Sequence, residues 1–186
     1  MKIVKTNPLH LLYLMLFSLN VLIALFGRMF RSRQRRGRRV VVLYGHKLNG
    51  NLLALYERLS TAHLEEFETV FLTMDPVYCR RLRQTGVACV LAIVPACSSL
   101  LVRADAIVSD HGLHALRFLL GRPHLKFFDV WHGFGFKGHD ASDFRTQHRY
   151  DQVWVSSPLQ ANFYREDFGF DSDKIIVPVM LGPIAW

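Results

Sequence analysis

Residues 131–140 read Trp-His-Gly-Phe-Gly-Phe-Lys-Gly-His-Asp, the densest run of chemistry-bearing side chains in the chain. Gly133, Gly135 and Gly138 carry no Cβ, so backbone N–H groups among them can approach an anion closely, and Lys137 adds a point charge suited to phosphate. A histidine at a strand end, such as His132, can act as a base near neutral pH and take a proton from a reacting hydroxyl. The plainer alternative is a histidine whose ring is hydrogen-bonded within a turn. The glycines also match the G-x-G-x-x-G spacing of dinucleotide sites, but that fingerprint needs an apolar helix directly after the third glycine. Here His139, Asp140, Ser142, Asp143 and Arg145 follow instead. A dinucleotide enzyme is therefore the weakest of the functional readings, and no cofactor is expected.

A second candidate is Asp110-His111-Gly112. Asp110 either lines the same crevice, bordering the phosphate site, or caps a helix beginning at Leu113. His111 and His114, or His132, His139 and His148, invite a metal reading, but none matches a zinc spacing and no cysteine joins them. No metal is expected.

These segments need a scaffold that brings them together. Val40–Tyr44 is a short β-branched run without polar alternation, as in a strand buried on both faces of a parallel sheet. Gly45 ends it, and Asn49, Gly50 and Asn51 precede a helical pattern of leucines. Val70–Met74 predicts the next strand, with Asp75-Pro76 opening a helix that runs to Gln84, Asp as cap and Pro in the first turn. Further strands are predicted at Cys89–Val94, Ala106–Ser109, Leu125–Trp131, Gln152–Ser156 and Lys174–Val179. Helices are predicted at Leu113–Leu120 and from Ser157-Pro158 to near Phe168. Strands alternating with helices imply a doubly wound, Rossmann-like α/β sheet whose ligands bind at the carboxyl ends of the strands. The loops to inspect are then Gly45–Asn51, Asp110–Gly112 and Trp131–Asp140.

Charge divides the chain in two. Of 23 lysines and arginines, nine lie in residues 1–39 with no acidic residue, so the other 14 face 15 acidic residues in 40–186. The +8 net charge and pI near 9.8 therefore belong to one end, and no nucleic-acid surface is implied. Between Lys5 and Arg28 the chain is uncharged and rich in leucine, and as a helix it would be about 33 Å long, enough for a hydrocarbon core. Arginines crowd its far side, which argues against a cleaved signal and places the remainder of the chain in the cytoplasm. Residues 1–39 are accordingly read as a membrane anchor helix with an Arg-rich cytoplasmic flank. Spanning is favoured over lying in the interface, the alternative left open by His10, Ser18 and Asn20. Residues 40–186 suit one domain. Cys79, Cys89 and Cys97 lack C-x-x-C pairing and are expected to be buried reduced thiols.

Trp131-His132-Gly133 with Lys137 and Gly138, then Tyr150-Asp151 to Ser156-Ser157, then Lys174-Ile175-Ile176 to Gly182-Pro183, resembles the CDP-glycerol glycerophosphotransferases of teichoic acid and capsule polymer synthesis. The resemblance is clearest over 105–183. It implies the N-terminal, acceptor-side domain of a glycosyltransferase-B architecture, with the donor-binding domain absent from these 186 residues. It further implies His132 as general base toward an acceptor hydroxyl, Gly133, Lys137 and Gly138 beside the phosphates, and CDP-glycerol or a related CDP-polyol as donor. A lipid-linked or polymer acceptor, the cytoplasmic face of the cell membrane and a separate donor-domain chain complete the expectation. No arginine follows Pro183, where the family has one. The competing expectation is a non-catalytic, membrane-tethered binding module or a truncated, inactive product.

Overall fold

The computed structural model describes residues 7–30, 37–130 and 144–178. In chain order the elements are α1 (Pro8–Met29), β1 (Arg39–Tyr44), α2 (Gly50–Thr61), β2 (Phe67–Thr73), α3 (Pro76–Gln84), β3 (Cys89–Leu91), α4 (Ala96–Arg103), β4 (Ala106–Ser109), β5 (Lys126–Asp129), β6 (Gln152–Trp154), α5 (Pro158–Glu166) and β7 (Ile175–Ile176). All seven strands pair in parallel in the order β3-β2-β1-β4-β5-β6-β7. The Rossmann-like expectation is met.

Local sequence starts three of the helices in the same way. Asn7, Asp75 and Ser157 each accept a backbone N–H in the first turn, from Leu9 (2.9 Å), Tyr78 (3.0 Å) and Gln160 (3.2 Å), and each is followed by a proline whose missing N–H costs nothing there. β1 shows how the sheet is sealed on both sides. Val40, Val42 and Tyr44 join one core with α1, α4 and the 3₁₀ turn His114–Leu119, while Val41 and Leu43 join the other with α2 and α3. A smaller core of Phe144, Val153, Val155, Tyr164, Phe168 and Phe170 seats α5.

Some boundaries differ from expectation. The strand expected to reach Val94 ends at Leu91, and α4 follows, unheralded. Leu113–Leu120 forms the tighter 3₁₀ turn His114–Leu119, whose N-cap position is Leu113 rather than Asp110. β7 is only two residues long in the described part. Cys79, Cys89 and Cys97 are buried free thiols, as expected, and burial raises Cys97 to about 12.

α1 is the one helix among the described residues long and apolar enough to cross a membrane. Its inner face is committed to the domain. Phe17, Val21 and Ala24 are fully buried, Asn20 Nδ2 donates to the Ala92 carbonyl (3.1 Å), and Gly27 lies so close to Val102 that a Cβ would sit 2.6 Å from Cγ2. The Arg28 guanidinium donates to the carbonyls of Leu101, Val102, Ala104, Pro123 and His124 at 2.9–3.2 Å. The outer face, with Leu12, Met15, Leu19, Ile23, Phe26 and Met29, is exposed. The helix runs antiparallel to the strands. Phe17 meets Tyr44 at the carboxyl end of β1, and Arg28 meets the segments that begin β4 and β5.

Candidate functional site at the strand-order reversal

The chain builds outward from β1 to β3, then crosses back to lay β4 on the other side of β1. That reversal opens a crevice beyond the carboxyl ends of β1 and β4, the place where doubly wound sheets bind ligands. β1 delivers Tyr44, Gly45 and His46 to it, and β4 delivers Ser109, Asp110 and His111.

Asp110 is almost fully buried, and its Oδ1 lies 2.6 Å from Nδ1 of His111, whose side chain is 35% exposed. The carboxylate reaches this position because residue 45 is glycine. A Cβ there would stand 2.8 Å from Asp110 Oδ1 and 2.7 Å from Leu52 Cδ1. The His46 ring meets His111 edge to face at 4.8 Å between centroids, and His114 lies 6.2 Å from His46. His114 adopts a left-handed backbone (φ 48°), which histidine tolerates better than bulkier residues, and its Nδ1 is 2.8 Å from the Tyr44 hydroxyl.

Burial is the leading cause that holds His46 below the ordinary imidazole range, and the neighbouring His111 adds to it. Burial also lowers His114, against an opposing hydrogen bond to the Gly112 backbone. Burial raises the Tyr44 phenol far above its usual range, so it stays protonated. The site thus sets the His46, His111 and His114 rings and the Tyr44 phenol over one buried carboxylate. Among the described residues, no group of three His, Cys, Asp or Glu side chains is placed to hold a metal ion.

The end of β5 borders the same crevice. Val130 N donates to the Ser109 carbonyl (2.9 Å), and Asn51, in the first turn of α2, donates to the Val130 carbonyl (3.1 Å). Behind it stand buried Asp129 and Tyr150, whose hydroxyl is 3.5 Å from Ser109 Oγ. Of the residues singled out in the sequence, Asp110 is therefore in the crevice, whereas His132, Gly133, Gly135, Lys137 and Gly138 lie outside the described residues. His46 falls in the loop Gly45–Asn51 marked for inspection from the sequence, but neither it nor Tyr44 was singled out as a site residue. The available signal was a histidine directly after the glycine that closes a buried strand.

A cavity of about 490 Å³ opens at the opposite, amino ends of the strands, lined in part by Arg39, Asp105, His124, Lys126, Asp151 and Trp154. Its carboxylates hold strand starts together. Asp105 accepts from Val40 N (2.8 Å), and Asp151 accepts from Phe127 N (2.9 Å) and Lys126 Nζ (2.6 Å).

The fold and the position of this crevice define a Rossmann-like α/β domain whose ligand end lies at the strand-order reversal. Neither a family model nor a curated protein matches the sequence. Among solved structures, the wall teichoic acid polymerase TagF superposes with a TM-score of 0.61 at 12% identity, in a form soaked with CDPG, over 89% of this chain and 42% of that one. Another TagF structure gives 0.59 at 12% identity over 87% and 42%, and a glycosyltransferase from Rickettsia africae ESF-5 gives 0.53 at 9% over 76% and 42%. At these identities the likeness establishes the shared fold. The chain spans less than half the length of each of these proteins.

Proposed function

We propose that this chain is the acceptor-side domain of a membrane-associated glycerophosphotransferase. It passes glycerol phosphate from CDP-glycerol, or a related CDP-polyol, to a lipid-linked or polymer acceptor at the cytoplasmic face of the membrane. The observation that carries this reading is the strand-order reversal. It brings the Asp110-His111 end of β4 beside Val130, two residues before the His132-Gly133 segment that resembles the glycerophosphotransferases, in a fold shared with TagF.

In the proposed reaction the acceptor oxygen attacks the phosphorus that bears the glycerol. The new P–O bond forms as the bond to CMP breaks, and His132 takes the hydroxyl proton. Lys137 and the N–H groups around Gly133, Gly135 and Gly138 neutralise the phosphate oxygens, which is most of what phosphoryl transfer asks of a protein. The donor nucleotide is held by a second Rossmann-like domain, on this protein or on a partner chain. Glycerol phosphate incorporation from labelled CDP-glycerol, with such a domain supplied, tests the reading directly.

The packing of α1 supports an interfacial seat over a spanning one. Crossing a bilayer would strip Phe17, Val21 and Ala24 from the core and Arg28 from five carbonyls. Lying on the surface keeps them in place while the outer face enters the lipid and Arg31, Arg33, Arg35 and Arg36 meet anionic headgroups. Because Phe17 packs on Tyr44, this seat brings the membrane beside the crevice, where a lipid-linked acceptor can enter.

A further inference from the structure

We propose that Asp110, His111 and His46 form a hydroxyl-binding subsite that receives the uncharged, polyhydroxylated end of the acceptor, a polyol or sugar rather than a phosphate. The subsite rests on the transferase reading and adds to it a place where the acceptor is gripped.

His111 Nδ1 and Asp110 Oδ1 are 2.6 Å apart. A carboxylate is an acceptor only, so Nδ1 carries a proton, and in the uncharged ring Nε2 is the nitrogen with the lone pair. A hydroxyl is the natural donor to such a nitrogen. A phosphate dianion offers it no proton, and the buried negative charge beneath the ring repels the anion.

The neighbours agree with this assignment. His46 stands against His111 at 4.8 Å, and burial favours its neutral form, in which one ring nitrogen donates and the other accepts. Vicinal hydroxyls, each both donor and acceptor, match two adjacent imidazoles that offer donor and acceptor nitrogens side by side, in a way that neither a bare phosphate nor an apolar group does. Two features anchor the grip. Gly45 admits the Asp110 carboxylate, and the Tyr44 hydroxyl holds His114, the third ring, at the rear of the cluster. Asp110 is a positioning residue here, since it acts through His111.

The test is histidine proton–nitrogen correlation spectroscopy on the whole chain, with a short glycerol phosphate oligomer as probe and inorganic phosphate as control. The subsite predicts His111 as the Nδ1–H tautomer in the free protein. It also predicts saturable shifts at His46 and His111 with the oligomer, at concentrations where inorganic phosphate leaves both unmoved. His111→Gln, at a partly exposed position where folding is not at stake, weakens oligomer binding at least about tenfold, and Asp110→Asn removes the tautomer preference. Equal shifts with inorganic phosphate, or a saturating oligomer that leaves both rings unmoved, would overturn the subsite. Glycerol phosphate incorporation is read on the same samples. Incorporation without oligomer shifts refutes the subsite and leaves the transferase standing, and shifts without incorporation do the reverse.

Discussion

The Tyr44 hydroxyl stands 2.8 Å from Nδ1 of His114, and the same tyrosine ring packs on Phe17 of α1 at 5.8 Å between centroids. One side chain therefore joins the apolar N-terminal helix to the histidine cluster at the strand-order reversal. Tyr44→Phe keeps the packing and removes the hydroxyl. We expect a loss of about 1 kcal/mol, a fall in Tm of about 2–4 °C by calorimetry, and altered His114 resonances with α1 still docked.

Gly45→Ala tests the close approach at the crevice. Its Cβ meets Leu52 Cδ1 and Asp110 Oδ1 inside 3.0 Å, so both contacts must be relieved. Overpacking of this kind costs about 1–3 kcal/mol. The specific outcome is a changed Asp110–His111 contact, read as loss of a single His111 tautomer. An unchanged tautomer would contradict the role given to this close approach.

Stability should fall on mild acidification. His46 and His114 are lowered in the folded chain, so the unfolded chain binds more protons once the pH drops below about 6.5. Their contribution is fully present above that value, is lost as the pH falls towards the depressed folded values, and levels off below them. Urea midpoints measured from pH 7.5 to pH 5 should decline, and the double variant His46→Gln, His114→Gln should flatten the decline.

The two faces of α1 predict opposite outcomes for one kind of change. Val21→Glu places a charge in the core and should prevent stable folding. Phe26→Glu, on the outer face, should leave the fold intact and lower binding to anionic vesicles by roughly a hundredfold, the affinity equivalent of about 2–3 kcal/mol of apolar contact. Alkaline carbonate should release the wild-type chain from membranes. Retention would favour the spanning arrangement.

The sheet was readable wherever local chemistry decided the structure. Val40–Tyr44 announces a buried parallel strand, and Asp75-Pro76 and Ser157-Pro158 announce helix starts that form with the bonds their side chains suggest. α4 was not readable. Pro95 provides no side-chain cap, Ser98 and Ser99 are weak helix formers, and the helix owes its place to Cys97, Leu100 and Leu101 packing beneath α1. The inner face of α1 was equally hidden, since leucine and phenylalanine recur all round it and only the tertiary fold selects Phe17, Val21 and Ala24. Asp110, singled out in the sequence, lies at the carboxyl end of β4 beside the crevice. Its partnership with His111, and His46 against both, needed β1 and β4 to be seen as neighbours.

The transferase reading turns on His132 serving phosphoryl transfer. The decisive experiment is glycerol phosphate incorporation from CDP-glycerol by the vesicle-bound chain with a donor-binding domain supplied, comparing wild type with His132→Ala. The transferase reading predicts incorporation by wild type and a loss of at least about a hundredfold in the variant, as for a general base. Undiminished transfer by His132→Ala would contradict it and leave a membrane-tethered binding module in its place.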